Sequence, residues 1–128
     1  MTKSDIIIKL EALGLDKSKY WLNAGGALVF YGLREETRDI DLGCDTEITE
    51  QLIREGHEVT LTDNGTRKIV INGEIEIFEN WLFGGKTETV DGFRVISPEG
   101  LLATKRWLNR PKDQKDIENL EKFLAGRK

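Results

Sequence analysis

Apolar residues recur along this chain first at helical and then at strand spacing. Ile6, Ile7, Leu10 and Leu13 fall on one helical face, with Ser4 as a candidate cap and Gly14 as a stop. Tyr20 to Asn23 reads as a short strand ending at Gly25 and Gly26, and Ala27 to Tyr31 as a short buried helix. Polar residues Arg34 to Arg38 lead into Asp39-Ile40-Asp41-Leu42, where alternation puts both aspartates on one face of a half-buried strand. An amphipathic helix is expected from Ile48 to Glu55, with Asp45 or Thr46 near its cap and Gly56 closing it.

Three strand-like stretches follow, His57 to Thr62, Thr66 to Ile71 and Glu74 to Phe78. Asp63-Asn64-Gly65 and Asn72-Gly73 separate them and favour tight hairpins, so an antiparallel meander is expected. Lys86 to Val90 and Phe93 to Ile96 form a further hairpin around Asp91-Gly92, approached through Gly84 and Gly85. Ser97-Pro98-Glu99 opens a helix carrying Leu101, Leu102, Lys105, Trp107 and Leu108. Arg110-Pro111 breaks it before a last helix with Ile117, Leu120, Phe123 and Leu124.

The sum is an α/β (α+β) domain spanning residues 1–128, a mixed sheet flanked by helices, without repeats or a linker. At 38% hydrophobic residues, 128 residues suffice for one core. Charged residues make up 33% and the net charge is −4, which gives no overall positive field to gather nucleic acid. The lone Cys44 excludes an internal disulfide, and Ile6 to Ile8 is too short an apolar run for a signal peptide or membrane span. A cytoplasmic protein with no membrane partner is the expectation.

Chemistry enters with the acids. Asp39 and Asp41 point the same way from one strand, so both can reach a divalent cation, and Mg²⁺ favours a few carboxylates plus waters and substrate phosphates. Glu76 is the best third acid, because Ile75 and Ile77 turn it to the face opposite the core. Glu74 shares that face but abuts the Gly73 turn. The plainer reading makes each acid the polar side of a half-exposed strand, but Asp is disfavoured in strands and two occur in one. A calcium loop through Asp39, Asp41, Asp45 and Glu50 fails because Cys44 stands where such a loop needs glycine.

With the glycines added, Gly25-Gly26, twelve residues and Asp39-Ile40-Asp41-Leu42 resemble the DNA polymerase β-like nucleotidyltransferase superfamily. The string GGALVFYGLREETRDIDL is similar to its minimal, lincosamide-type and abortive-infection toxin branches, in which Arg or Thr precedes the acids as Thr37 and Arg38 do here. Pro98-Glu99-Gly100-Leu101-Leu102-Ala103-Thr104-Lys105, with Arg110 to Asp116, resembles a second block of those branches. The resemblance implies a nucleotidyltransferase fold and transfer of NMP from an NTP such as ATP to a hydroxyl on a small molecule or protein. It places Mg²⁺ or Mn²⁺ on Asp39, Asp41 and Glu76, with Glu76 also accepting the hydroxyl proton.

The resemblance also puts the nucleotide on Gly25, Gly26, Thr37, Arg38 and Lys105, with Asp116 behind Lys105. Glycines that let phosphate approach are physically apt, although they equally make a plain turn. Lys105 could as well be a solvated helix residue, Arg38 could pair with Glu35 or Glu36, and Asp116 could cap a helix. Trp81 and Phe83 could stack on a base or belong to the core, Trp107 sits on a packing helix, and His57 is structural. Gly26 replaces the family's frequent Ser and Glu76 its usual Asp. These departures support a second reading, a weak or inactive nucleotide-binding component of a toxin–antitoxin or regulatory system. A chain this short leaves acceptor binding to self-association as a homodimer or to a partner protein.

Overall fold

The computed structural model describes residues 1–127. In chain order it contains α1 (Lys3–Leu13), β1 (Tyr20–Asn23), α2 (Ala24–Phe30), β2 (Ile40–Cys44), α3 (Thr46–Arg54), β3 (Thr60–Leu61), β4 (Arg67–Ile71), β5 (Ile75–Glu79), β6 (Thr87–Val90), β7 (Phe93–Ile96), α4 (Pro98–Leu108) and α5 (Gln114–Gly126). Single 3₁₀ turns precede β1 at Lys17–Lys19 and α5 at Pro111–Asp113. The strands form one seven-stranded sheet in the order β3-β4-β5-β2-β1-β7-β6. β2–β5 and β1–β7 are parallel and the remaining pairs antiparallel, so the sheet is mixed and helix-flanked as expected. Among the described residues no helix is long and apolar enough to cross a membrane.

Register explains how the pattern becomes a core. Ile69, Ile77, Leu42, Leu22 and Val95 lie directly across from one another on five successive strands, and all are buried. This apolar row packs with Ile6 and Leu10 of α1, Leu28 of α2, Ile48 and Leu52 of α3, Leu101 of α4 and Leu120 of α5. At about 1.5–3 kcal/mol per large apolar side chain removed from water, such rows are what hold the sheet to its helices. Because side chains alternate along a strand, the next row faces the other way. It reads Val70, Glu76, Asp41 and Asn23.

Several elements differ from their sequence-based outlines. α1 is capped by Thr2, not Ser4. The Thr2 side chain accepts from the Asp5 backbone N–H while the Asp5 carboxylate accepts from Thr2, a reciprocal box that places Ser4 inside the first turn. α2 begins at Ala24 with no loop after β1, so both glycines lie within the helix rather than before it. The reversal is made by Ala24, which adopts φ +52°, a conformation that costs an L residue roughly 1 kcal/mol. β3 is only Thr60–Leu61. His57 stays in the turn after α3, its N–H bonded to the Leu52 carbonyl, and is not the start of a strand. Trp107 is 74% exposed, so it does not pack as its helix position suggested.

Candidate active site

Neighbouring strands assemble the acids. Asp41 of β2 lies directly across from Glu76 of β5 on one side and Asn23 of β1 on the other. Asp39 immediately precedes β2 and is exposed, two residues from Asp41 and so on the same side of the strand. Glu74 is held by Lys9 at 2.6 Å, which leaves Glu76 as the β5 acid beside Asp41. Burial pushes the Asp41 carboxyl up to about 7, helped by hydrogen bonding to Glu76, by the charge of Glu76 and then by that of Asp39. Glu76 moves the opposite way, because the Lys68 ammonium 2.8 Å away stabilises its ionised form.

Asp41 Oδ1 is buried without a hydrogen-bond partner, and so is Asn23 Oδ1 directly across from it. An orphaned buried oxygen costs about 1–3 kcal/mol, and two on adjacent strands mark a place shaped for a donor or cation from outside the chain. Among the described residues no three His, Cys, Asp or Glu side chains gather into a ready-made metal cage. Mg²⁺ needs none, since it is commonly held by one or two carboxylates together with substrate phosphates and water. The donor set of Asp41 and Asp39, with Glu76 beside them, therefore fits a hard divalent cation. All of its oxygens are of the kind such ions prefer.

A cleft of ≈250 Å³ opens over the Asn23–Asp41 end of this row, lined by Asn23, Ala24, Asp41, Trp81, Lys105 and Arg110 among others. Its helix-side wall is ionic. Lys105 is 7% exposed and its Nζ lies 3.4 Å from Asp113 and 3.3 Å from Asp116. Asp116 also accepts from Arg34 at 2.7 Å, and Asp113 accepts from the Arg110 guanidinium and backbone N–H. Arg110 holds the Asp113 carboxyl down at about 2. Lys105 is thus a buried, paired ammonium at the cleft rather than a solvated one, and Asp116 supports it directly.

The third wall is the segment after β5. Indole Nε1–H of Trp21 and the Asn23 side-chain amide both donate to the Trp81 carbonyl, at 2.8 and 3.2 Å. Trp81 packs edge-on against Phe78, and Phe83 lies near Trp107 at the cleft rim. This crossing requires Gly43 of β2, where a Cβ would collide with the Trp21 indole and the Trp81 carbonyl. Gly25 serves a similar need, since its Cβ would strike the Thr37 hydroxyl and the Arg34 guanidinium. Thr37 itself donates to the Asp39 carbonyl at 3.1 Å, tying the glycine turn to the acid strand. Arg38 is exposed, and Gly26 is buried in α2.

Of the residues expected from the sequence, Asp41 and Lys105 line the cleft, Glu76 lies across from Asp41, and Thr37 bridges Gly25 and Asp39; Asp39, Glu76, Gly25, Gly26, Thr37 and Arg38 are not among the residues lining it. Four participants were not singled out from the sequence: Asn23, Arg34, Lys68 and Asp113. Alternation would place Asn23 and Lys68 on the acid-bearing face once the strands were paired. Arg34 and Asp113 carry no such signal.

No protein-family profile matches the chain, and no curated protein matches it in sequence. Solved structures do. A Thermotoga maritima protein assigned provisionally as a nucleotidyltransferase superposes with a TM-score of 0.64 at 18% identity, covering 98% of this chain and 96% of that one. The lincosamide antibiotic adenylyltransferase LnuA, solved with lincomycin bound, gives 0.60 at 20% identity over 93% and 94%. The antibiotic-resistance factor ANT(2″)-Ia in solution gives 0.63 at 19% identity over 94% and 83%. These likenesses run nearly end to end on both sides, and with the mixed sheet and its acid-bearing face they establish that this chain has the nucleotidyltransferase fold.

Proposed function

We propose that the chain transfers a nucleoside monophosphate from an NTP to a hydroxyl group of an acceptor, using Mg²⁺ or Mn²⁺. The observation that carries this reading is Asp41, a half-buried carboxylate with one buried, unpartnered oxygen, which lines a cleft together with Lys105 and has Glu76 directly across on the next strand. Asp39 and Asp41, with Glu76, would hold the cation, which supplies neutralisation of the phosphate charge in the transition state. Lys105, paired with and aimed by Asp113 and Asp116, would meet the β- and γ-phosphates. Gly25, Gly26, Thr37 and Arg38 would line the approach of the triphosphate.

Glu76, whose ionised form Lys68 stabilises, would accept the proton as the acceptor oxygen attacks the α-phosphorus. The α–β bridging bond breaks and pyrophosphate leaves. Catalysis of this kind is chiefly positioning and charge neutralisation. LnuA and ANT(2″)-Ia, the latter solved with adenylyl-2″-tobramycin, support a small-molecule acceptor and an adenylyl donor. A homodimer or partner protein could still complete the acceptor side.

The test is incubation of the chain with each α-labelled NTP and Mg²⁺ against lysate and against a panel of hydroxylated antibiotics. Label should move to an acceptor with wild type and not with Asp39→Ala/Asp41→Ala. Transfer that survives the double substitution would sink the proposed site. The engagement of Glu76 by Lys68 favours one alternative, a nucleotide binder with little turnover. That reading expects an NTP- and metal-dependent thermal shift in the absence of label transfer.

A further inference from the structure

Among the described residues, the ion pairs around the acid row give Glu76 one cation, Lys68, and commit several others elsewhere. Lys9 is taken by Glu74, Arg67 by Glu79 and Glu50, and Lys105 by Asp113 and Asp116. Lys68 of β4 places its Nζ 2.8 Å from Glu76 Oε1 and 5.4 Å from the centre of the Phe78 ring. Register makes this placement systematic. Lys68 pairs directly with Phe78, two residues from Glu76 on β5, so its side chain shares the acid-bearing face and reaches Glu76 on the diagonal. The residue directly across from Glu76 on β4 is the apolar Val70.

The row is therefore lopsided. Toward β1 lie two buried oxygens without partners, Asp41 Oδ1 and Asn23 Oδ1, and toward β4 lies a fixed ammonium. A second divalent cation on the Glu76 side would have to displace that ammonium or sit against it, and both are unfavourable at such range.

We propose that Lys68 is a positioning residue that supplies the standing positive charge on the Glu76 side, so that the acid row takes one divalent cation, at Asp41, rather than two. This rests on the nucleotidyl-transfer reading for its purpose but not for its measurement. Lys68 holds Glu76 in place for an incoming hydroxyl, while the orphaned oxygens receive the metal. A site of this kind works with a protein cation where a two-metal site would use its second ion.

Mn²⁺ titration of the full chain, followed by the electron paramagnetic resonance of the free ion and without nucleotide, tests it. Wild type should take one equivalent. Lys68→Gln should bind Mn²⁺ about tenfold more tightly or gain a second equivalent, because a like charge has been removed from the row. Lys68→Arg should follow wild type. Near-UV circular dichroism confirms folding, and Lys68→Met serves if Lys68→Gln does not fold. Two equivalents or none in wild type, a charge-free variant whose isotherm superimposes on wild type, or tightening in Lys68→Arg equal to that in Lys68→Gln would each overturn the proposal. If the isotherms behave as expected and no label ever moves, the counter-charge role stands and the enzymatic reading falls.

Discussion

On the sheet side of the cleft Asp41 and Asn23 each keep a buried oxygen without a partner, whereas on the helix side Asp113 and Asp116 between them engage all three cations, Lys105, Arg34 and Arg110. Both walls bury polar groups, but only one satisfies them. A fully paired network holds its members in fixed positions, and breaking it exposes an uncompensated charge. An orphaned carboxylate does the reverse: it lowers stability until something binds. The helix wall belongs to the architecture that aims Lys105, and the sheet wall is where a ligand has the most to gain.

The comparison breaks most visibly at Asp41. Asp41→Asn should lower label transfer about a thousandfold, the order seen when a charge-stabilising group is lost, while the thermal midpoint measured above about pH 7 holds or rises because a desolvated charge has gone. A midpoint that drops by several degrees with transfer retained would make Asp41 a structural residue. Asp113→Ala should act in the opposite sense. Its side chain is 1% exposed and serves both Lys105 and Arg110, so stability should fall by about 3 kcal/mol. Urea denaturation reads this directly, and a loss below about 1 kcal/mol would mean that the helix wall is no firmer than a surface ion pair.

Gly43→Ala probes the seam between the walls. Its methyl must push the Trp21 indole or the Trp81 carbonyl aside, for an expected loss of about 2 kcal/mol together with weaker NTP binding in a thermal-shift titration.

The smallest effect separates the walls by pH. Asp41 is raised from 3.8 to about 7, so the metal-free folded state holds its proton where the unfolded chain has released it. Stability should therefore decline as pH climbs from about 4 to about 7 and then level off. Asp113 is lowered to about 2, so its contribution is complete above about 4 and fades as pH falls toward 2. Melting curves across this range should show both limbs in wild type, and Asp41→Asn should flatten the upper one alone.

Local periodicity in the sequence was enough to outline the strands, hairpins and last two helices, because alternation and turn residues are properties of neighbours along the chain. It also put Glu74 and Glu76 on one face and preferred Glu76, because Glu74 abuts the Gly73 turn, a property of neighbours along the chain. Long-range pairing was not legible in that way. That β2 would lie parallel to β5, bringing Glu76 beside Asp41, follows from how the whole sheet closes, and the nearness of Lys68 and Asn23 depends on it. Trp107 failed for another reason: helical spacing gives a face but not whether anything covers it, and here it stands in solvent. The two glycines pointed to a turn, yet the turn itself falls on Ala24, where no sequence rule would seek positive φ.

The pinning of Trp81 over the sheet by Trp21 has an optical consequence. The Trp21 indole donates to the backbone carbonyl of Trp81, a residue that lines the cleft, while the third indole, on Trp107, is 74% exposed. Replacing Trp107 leaves tryptophan emission only from Trp81 at the cleft wall and from the buried Trp21 that holds it. The protein then reports occupancy of its own cleft by fluorescence, without dye or label.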